Sequence, residues 1–367
     1  MRIAIDCRLV GSTQIGSYIS EIVQQLILRH NCLLIGTHAQ CMEFVRDENV
    51  EFCFCDTEVF SLEEIRGFPK NVEERILQYE IFFSPSFNVP GKIPIPVVST
   101  IHDLADLEVP NQIGFSEKIK KNWFLKRAIE KSEKIVTTSE FSKNRIREIL
   151  NCQKKIVVTP GGISSHILKG RKIEESEKRD TILFVGNSYK NKGLLTLLCA
   201  FENAKSQGFS GKLVLVGKKA DFKDGDTKTV DKLRALCTNE SSGVVFTGKI
   251  AKENLRGLYE NALVLVQPSI YDGFCTPPLE AMSTGTRAIV SDIPVFKEIF
   301  ENLPVQFFEA QNETDLAKKI LEIDQNRLND DEVSKVLGAY SYAKSAEILC
   351  KTFKEILGNE ENEEATF

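Results

Sequence analysis

The sequence predicts an α/β protein made of two Rossmann-like, doubly wound parallel-sheet domains facing one another across a cleft, and three observations carry that prediction. Short apolar runs rich in Val and Ile alternate with longer amphipathic stretches along almost the whole chain, the signature of parallel strands joined by crossover helices. The alternation stops once, in the polar and aperiodic run from Ser164 to Thr181, and then starts again. At 367 residues the chain also has the length of about two domains. A first domain over residues 1–165, a linker over 166–179 and a second domain over 180–339 are expected, with a final helix at about 340–357 packing back on the first domain.

In the first series the apolar run Arg2 to Asp6 is a strand and the amphipathic stretch Ser17 to Arg29 a helix. Cys32 to Thr37, Val50 to Cys55, Ile81 to Ser84 and Val97 to Ile101 are further apolar runs of strand length. Lys118 to Lys131 is the second clear helix, and Lys134 to Thr138 and Lys155 to Thr159 complete seven strands, enough for one sheet. The second series has strands at Ile182 to Gly186, Lys212 to Gly217, Val244 to Gly248, Leu263 to Pro268, Arg287 to Ser291 and Val305 to Phe308. Helical stretches separate them at Lys192 to Ser206, Thr229 to Thr238, Lys252 to Asn261, Pro277 to Ser283 and Glu313 to Gln325. Asp331 to Leu357 is helical, and Gly358 to Phe367 is an acidic tail.

Composition excludes several classes of function. With 47 basic and 52 acidic residues the net charge is -5, too acidic for a chain whose main partner is a nucleic acid. Ten cysteines are scattered through apolar runs with no CxxC, as in a reduced, cytoplasmic protein where Cys packs as a small hydrophobe. Four histidines without HxxxH spacing speak against zinc, and no run reaches the roughly 20 apolar residues of a membrane span. Charge is uneven, however: residues 118–155 carry 12 basic and 4 acidic side chains. Within them, KIKKNWFLKR sets the single tryptophan among cations. Its apolar residues suit packing on the sheet with a solvated basic face, the favoured reading; the alternative is peripheral contact with anionic lipid at the inner face of the membrane through residues 118–134.

Chemistry concentrates in the segment Pro268 to Gly285, which leaves an apolar strand, turns through Gly273 and enters a helix. Thr276 is the expected N-cap and Pro277 the first helical residue, where a missing N–H costs nothing. Since Pro277 and Pro278 cannot donate, the amides open to an anion are those of Gly273, Phe274, Cys275 and Thr276. Asp272 in the loop and Glu280 in the helix are two carboxylates able to accept hydroxyls. Lys192, after the strand Ile182 to Val185 and the turn at Gly186, is the expected cation beside such an anion, with Lys190 as its backup. His102 ends the strand Val97 to Ile101 beside Asp103, where parallel sheets present ligand-facing residues. Gly11 to Gly16 is a glycine-flanked loop, but GSTQIG lacks the dinucleotide pattern. Asp224-Gly225-Asp226 is a surface turn with no accompanying ligand cluster, and no metal site or cofactor is expected.

On these residues the sequence resembles the glycosyl transferases group 1, or family 4, nucleotide-sugar enzymes of GT-B fold, whose signature is two Glu with seven residues between. Asp272 and Glu280 match it with one conservative change. Ile5-Asp6-Cys7-Arg8 with Gly16-Ser17-Tyr18, Thr100 to Leu104, Ser139 to Ser142, Pro160 to Ile163, and Phe184-Val185-Gly186 with Lys192 are similar to family landmarks in family order. The resemblance implies donor-sugar contact for Asp272, ribose contact for Glu280, a place near the donor sugar for His102, and an acceptor-side place for Gly16, with Asp103 orienting the ring, binding acceptor or capping a helix. It implies retaining, metal-independent hexose transfer to a hydroxyl of a glycan or lipid-linked glycan in surface polysaccharide synthesis, with GDP-mannose the first donor to test. Two departures stand out: Asn187 occupies a position where relatives often carry Arg, and Asp272 is one methylene shorter than Glu. They motivate two alternatives, an inactive nucleotide-sugar-binding partner of a glycan-assembly complex and a GT-B epimerase.

Overall fold

The computed structural model describes residues 1–12, 14–45, 48–169, 179–217, 227–248 and 250–358. Most of the expected linker, the acidic tail and the Asp224-Gly225-Asp226 triplet lie outside the described residues. The chain forms two units, one of Met1–Leu104, Phe115–Gly161 and the segment from Tyr342 onward, the other of Ala105–Gly114 and Gly162–Ser341.

The first unit is built on β1 (Arg2–Asp6), β2 (Asn31–Gly36), β3 (Val50–Phe54), β4 (Ile81–Ser84), β5 (Val97–Thr100), β6 (Lys134–Thr137) and β7 (Ile156–Val158). All pair in parallel in the order β3-β2-β1-β4-β5-β6-β7. Every residue of β4 and β5 is buried, the apolar Ile81 to Phe83 and Val97-Val98 as well as the polar Ser84, Ser99 and Thr100. The order reverses between β1 and β4, the switch point at which doubly wound sheets open a crevice at their carboxyl ends.

Helix Gln14–Ile27 covers one face of this sheet together with helix Tyr342–Ile356 from the far end of the chain. Tyr342, Ala346, Leu349 and Phe353 join Ile3, Ile5, Ile22 and Leu26 in one core, and the Phe353 and Phe83 rings lie 5.6 Å apart. At the end of that helix Glu355 accepts from both Lys134 and Lys155, the latter at 2.8 Å. Hydrogen bonds from the two lysines hold its carboxyl down at about 2. A depressed carboxyl stabilises the fold above its unfolded pKa and loses that contribution as pH falls towards the folded value. The stabilising effect is therefore present above about pH 4.5 and lost towards pH 2. Glu355→Gln is expected to lower the melting temperature by about 1–2 °C at pH 7 and by less at pH 3; an equal loss at both pH values in a thermal scan would show that the ion pairs contribute nothing.

The second unit is built on β8 (Thr181–Val185), β9 (Lys212–Val216), β10 (Val244–Gly248), β11 (Val264–Gln267), β12 (Arg287–Ser291) and β13 (Val305–Phe308), again all parallel. The order β10-β9-β8-β11-β12-β13 reverses between β8 and β11. Its core packs Phe184, Leu197, Phe201, Leu215, Val266, Ile289 and Leu316.

Several local expectations are corrected. The helical stretch at 331–357 is two helices, Asp330–Ala339 and Tyr342–Ile356, because Tyr340 turns extended between them at φ -134°. The helix from Glu313 stops at Leu321, and the Asn326 amide then donates to Asp324 in a turn. Gly16 lies in the first turn of helix Gln14–Ile27 and not in the preceding loop. That loop folds back so closely that a Cβ on Gly16 would stand 2.9 Å from the Gly11 nitrogen. The short helices Leu62–Arg66, Lys70–Ile76, Ser165–Lys169 and Pro294–Phe300 and the longer Glu140–Leu150 are absent from the sequence reading. The last begins where the Ser139 hydroxyl accepts from the Ser142 amide at 3.1 Å, a serine cap. Helix Phe115–Lys131 also splits the pair Trp123-Phe124: Phe124, Leu125 and Ala128 are buried, whereas Trp123 is exposed.

Candidate active site

In the second unit the chemistry-bearing residues gather where the strand order reverses, on the loops that leave β8 and β11. After β8 the Asn187 carboxamide accepts from the Tyr189 amide at 3.1 Å, and the chain makes a single 3-10 turn, Lys190–Lys192. Lys192 thus stands in this turn and not at the head of the following helix, which begins at Leu194. Gly193 has φ +64°, and a Cβ there would lie 1.9 Å from the Pro268 carbonyl oxygen. Only glycine lets the turn press against the end of β11.

The two loops are zipped together. The Asn191 carbonyl accepts from Ile270 at 2.8 Å and from Tyr271 at 3.3 Å, and its side chain returns a bond to the Tyr271 carbonyl. Residues Ala105–Gly114, which no linear boundary assigns to this unit, reinforce the zip. Gln112 exchanges two hydrogen bonds with Asn191, Glu108 accepts from the Tyr271 hydroxyl at 2.8 Å, and the Lys190 ammonium donates to the Pro110 carbonyl at 2.8 Å. Lys190 is thereby tied to the strap.

This scaffold brings the Lys192 ammonium to 2.7 Å from Asp272 Oδ2, both side chains being almost wholly buried. Ser269 donates to the same oxygen at 3.3 Å, and the Gly273 amide to Oδ1 at 3.1 Å. The Gly273 amide is therefore already engaged by Asp272, which corrects its expected openness. Cys275, not Thr276, is the N-cap of helix Thr276–Ser283, at φ -119° and with no side-chain cap. Thr276 has already turned helical, so Pro277 and Pro278 follow it within the first turn. Phe274 packs edge-on against Tyr340, ring centroids 5.4 Å apart.

Glu280 is buried and doubly held: Oε1 accepts from the Ser164 hydroxyl at 2.5 Å and Oε2 from the Tyr259 hydroxyl at 2.8 Å. Burial and the nearby Glu280 charge push the Tyr259 hydroxyl well above its ordinary pKa, so it stays protonated and donating. The Cys275 thiol is pushed up by burial and by the charge of Asp272, against the pull of Lys192. Within the helix bearing Tyr259, Arg256 pairs with Glu260 at 2.8 Å, and its bond to the Ile167 carbonyl links that helix to the segment bearing Ser164. No spacing in the sequence signals Ser164 or Tyr259; Ser164 merely adjoins the Pro160 to Ile163 landmark.

In the first unit His102 follows β5. Its Nε2 lies 2.9 Å from the Pro85 carbonyl, which only accepts, so Nε2 carries the proton and Nδ1 is the acceptor. The edge of the Tyr18 ring packs on it at 4.7 Å, and burial pulls its pKa down despite the Pro85 bond and the Asp103 charge. The ring is neutral at pH 7. At the switch point of this sheet Arg8 of the Ile5 to Arg8 landmark is buried between Asp6 and Glu64, at 2.6 Å from each, with Asn88 donating to Asp6 at 2.8 Å; Glu64 and Asn88 are unforeseen from the sequence. Burial alone would lower the Arg8 pKa, but the two carboxylates outweigh it and raise it. The network fixes the carboxyl ends of β1 and β4.

Comparison with known proteins adds relatives to this geometry. Residues 167–344 match the model described as "Glycosyl transferases group 1", and residues 17–166 the model described as "Glycosyltransferase Family 4". The O-antigen chain mannosyltransferase RfbU of Salmonella typhimurium is 30% identical over 55% of this chain and 54% of its own length. The O-antigen chain mannosyltransferase B of Escherichia coli is 25% identical over 60% of this chain and 58% of its own. The chain thus aligns with little more than half the length of these relatives. Among solved structures, sucrose-phosphate synthase from Thermosynechococcus elongatus superposes with a TM-score of 0.72 at 15% identity, covering 98% of this chain and all of that one. Anabaena HepE, in complex with UDP and glucose, superposes at 0.70 and 13% identity over 97% of this chain and all of its own. At those identities the likeness establishes the fold, GT-B.

Proposed function

The chain belongs to the glycosyl transferases group 1, and from that membership we propose that it moves a hexose from a nucleotide diphosphate sugar onto a hydroxyl of a glycan or lipid-linked glycan, in surface polysaccharide synthesis. The observation that carries the proposal is the Lys192–Asp272 pair facing the N-terminus of helix Thr276–Ser283 at the switch point of the second sheet. A nucleoside diphosphate gains negative charge as it leaves, and the Lys192 ammonium together with the Phe274, Cys275 and Thr276 amides meets that charge. In this reading Lys192 turns from Asp272 to the diphosphate, Asp272 takes donor-sugar hydroxyls, and Glu280, oriented by Tyr259 and Ser164, takes the ribose hydroxyls.

On the first unit, His102 offers Nδ1 to a sugar hydroxyl while Pro85 fixes the ring. Gly186 and Asn187 line the start of the donor loop, Lys190 is a reserve cation, and Gly16 and Asp103 belong to the acceptor side. The anomeric configuration is retained and no metal is required. Mannose from GDP-mannose is the first donor, in keeping with two relatives named as mannosyltransferases. Contact with a membrane suits a lipid-linked acceptor, and the chain acts in the cytoplasm.

The test is turnover of GDP-mannose, and then of UDP- and dTDP-sugars, with membrane glycolipid extract as acceptor and with EDTA present. Acceptor-dependent release of free nucleotide is expected. Binding without product would instead support a non-catalytic partner, and an altered sugar still attached to its nucleotide would mark an epimerase. Consumption of another nucleotide sugar while GDP-mannose is neither bound nor used removes the donor assignment.

A further inference from the structure

Helix Phe115–Lys131 has two faces that do different things. Phe124, Leu125 and Ala128 turn inward and are buried, as a sheet-packed helix requires. On the opposite side Phe115, Ile119 and Trp123, four residues apart and so aligned along one face, are 80%, 57% and 48% exposed. Three large apolar side chains in a row on solvent is costly unless something covers them. Cations frame the row: Lys126 stands within it, Lys118 flanks one side, and Lys120 and Arg127 flank the other, with the Arg127 guanidinium 5.7 Å from the Trp123 ring centroid.

We propose that this face is a docking surface for an anionic lipid bilayer, with Phe115, Ile119 and Trp123 entering the headgroup boundary and Lys118, Lys120 and Lys126 meeting the lipid phosphates. The pattern favours lipid over a protein partner. The apolar row is narrow, it is one helix wide, and exposed lysines stand beside it, as interfacial lysines do at a charged membrane. Aromatic side chains at both levels of the row suit the headgroup region. The inward packing of Phe124 also separates the two readings of the sequence: the helix packs on the sheet and still keeps a lipid-type face.

Trp123 is the single tryptophan of the chain, so its fluorescence reports on this face alone. The protein is mixed with vesicles of phosphatidylcholine alone or of phosphatidylcholine and phosphatidylglycerol in equal parts. A blue shift with the anionic vesicles, about tenfold weaker apparent affinity at high salt and little response to the neutral ones are expected. Phe115→Ser with Ile119→Ser, both already facing solvent and so sparing the fold, is expected to lower binding about tenfold while leaving thermal unfolding in place. Unmoved Trp123 emission, co-sedimentation without a spectral change, equal response to both vesicles, or full binding by the double variant would each overturn the proposal. None of these readouts depends on catalysis, so their failure leaves the transferase reading standing.

Discussion

Lys192→Met is expected to lower acceptor-dependent nucleotide release by about 10²–10³-fold, the loss typical of removing one preorganised group from a developing charge. The same change leaves Asp272 buried without its ammonium, which costs about 3–5 kcal/mol in stability when one partner of a buried pair is removed. The two effects separate experimentally. Rates are measured per folded molecule below the melting transition, and Asp272→Asn serves as the second variant. Asn keeps the size of Asp272 and lifts the charge from around Lys192, so the ammonium remains to meet the diphosphate and the loss in turnover is expected to be smaller than for Lys192→Met. A Lys192→Met enzyme that turns over within about fivefold of wild type would sink the diphosphate role of Lys192.

Glu280→Ala is expected to weaken calorimetric binding of the nucleoside diphosphate by about 10–100-fold, as befits loss of two hydrogen bonds to a charged acceptor. Tyr259→Phe, which removes only the bond to Oε2, is expected to weaken it by about 2–5-fold. That graded series distinguishes a ribose-binding carboxylate from a structural one. If Glu280 merely tied Ser164 to Tyr259, its removal would lower the melting temperature and leave the nucleotide affinity untouched. Repeating the titration with EDTA tests the metal-independent part of the reading, and a requirement for a divalent ion would return attention to Asp224 and Asp226.

The strands were legible because a buried parallel strand is an apolar run of a few residues, and both sheets form on the runs at Arg2, Val97, Ile182 and Arg287 to within a residue. Helices were less so. Leu62–Arg66 and Pro294–Phe300 are too short to show a clear period, and Glu140–Leu150 is marked mainly by its Ser139 cap. In the site, Lys192 stood out because it follows a strand and its turn, and Asp272 and Glu280 because they sit eight residues apart in a loop and helix that follow a strand and resemble the family signature. Their partners did not. Ser164 is 116 residues from Glu280, and Gln112 is 79 residues from Asn191. Such pairs are created by packing and leave no spacing to find. The Lys192–Asp272 contact is of the same kind, joining two residues that the sequence assigned to different parts of one donor.

Helix Tyr342–Ile356 completes the core begun by Ile3 and Ile5, and this orders events during synthesis. Domains ordinarily fold in the order in which they leave the ribosome. Here the sheet of β1 to β7 is completed by a helix that follows the whole of the second sheet in the chain, while Gly162–Ser341 holds every strand of its own sheet. Until Leu349 and Phe353 emerge, the core they share with Ile22 and Leu26 lacks one of its helices.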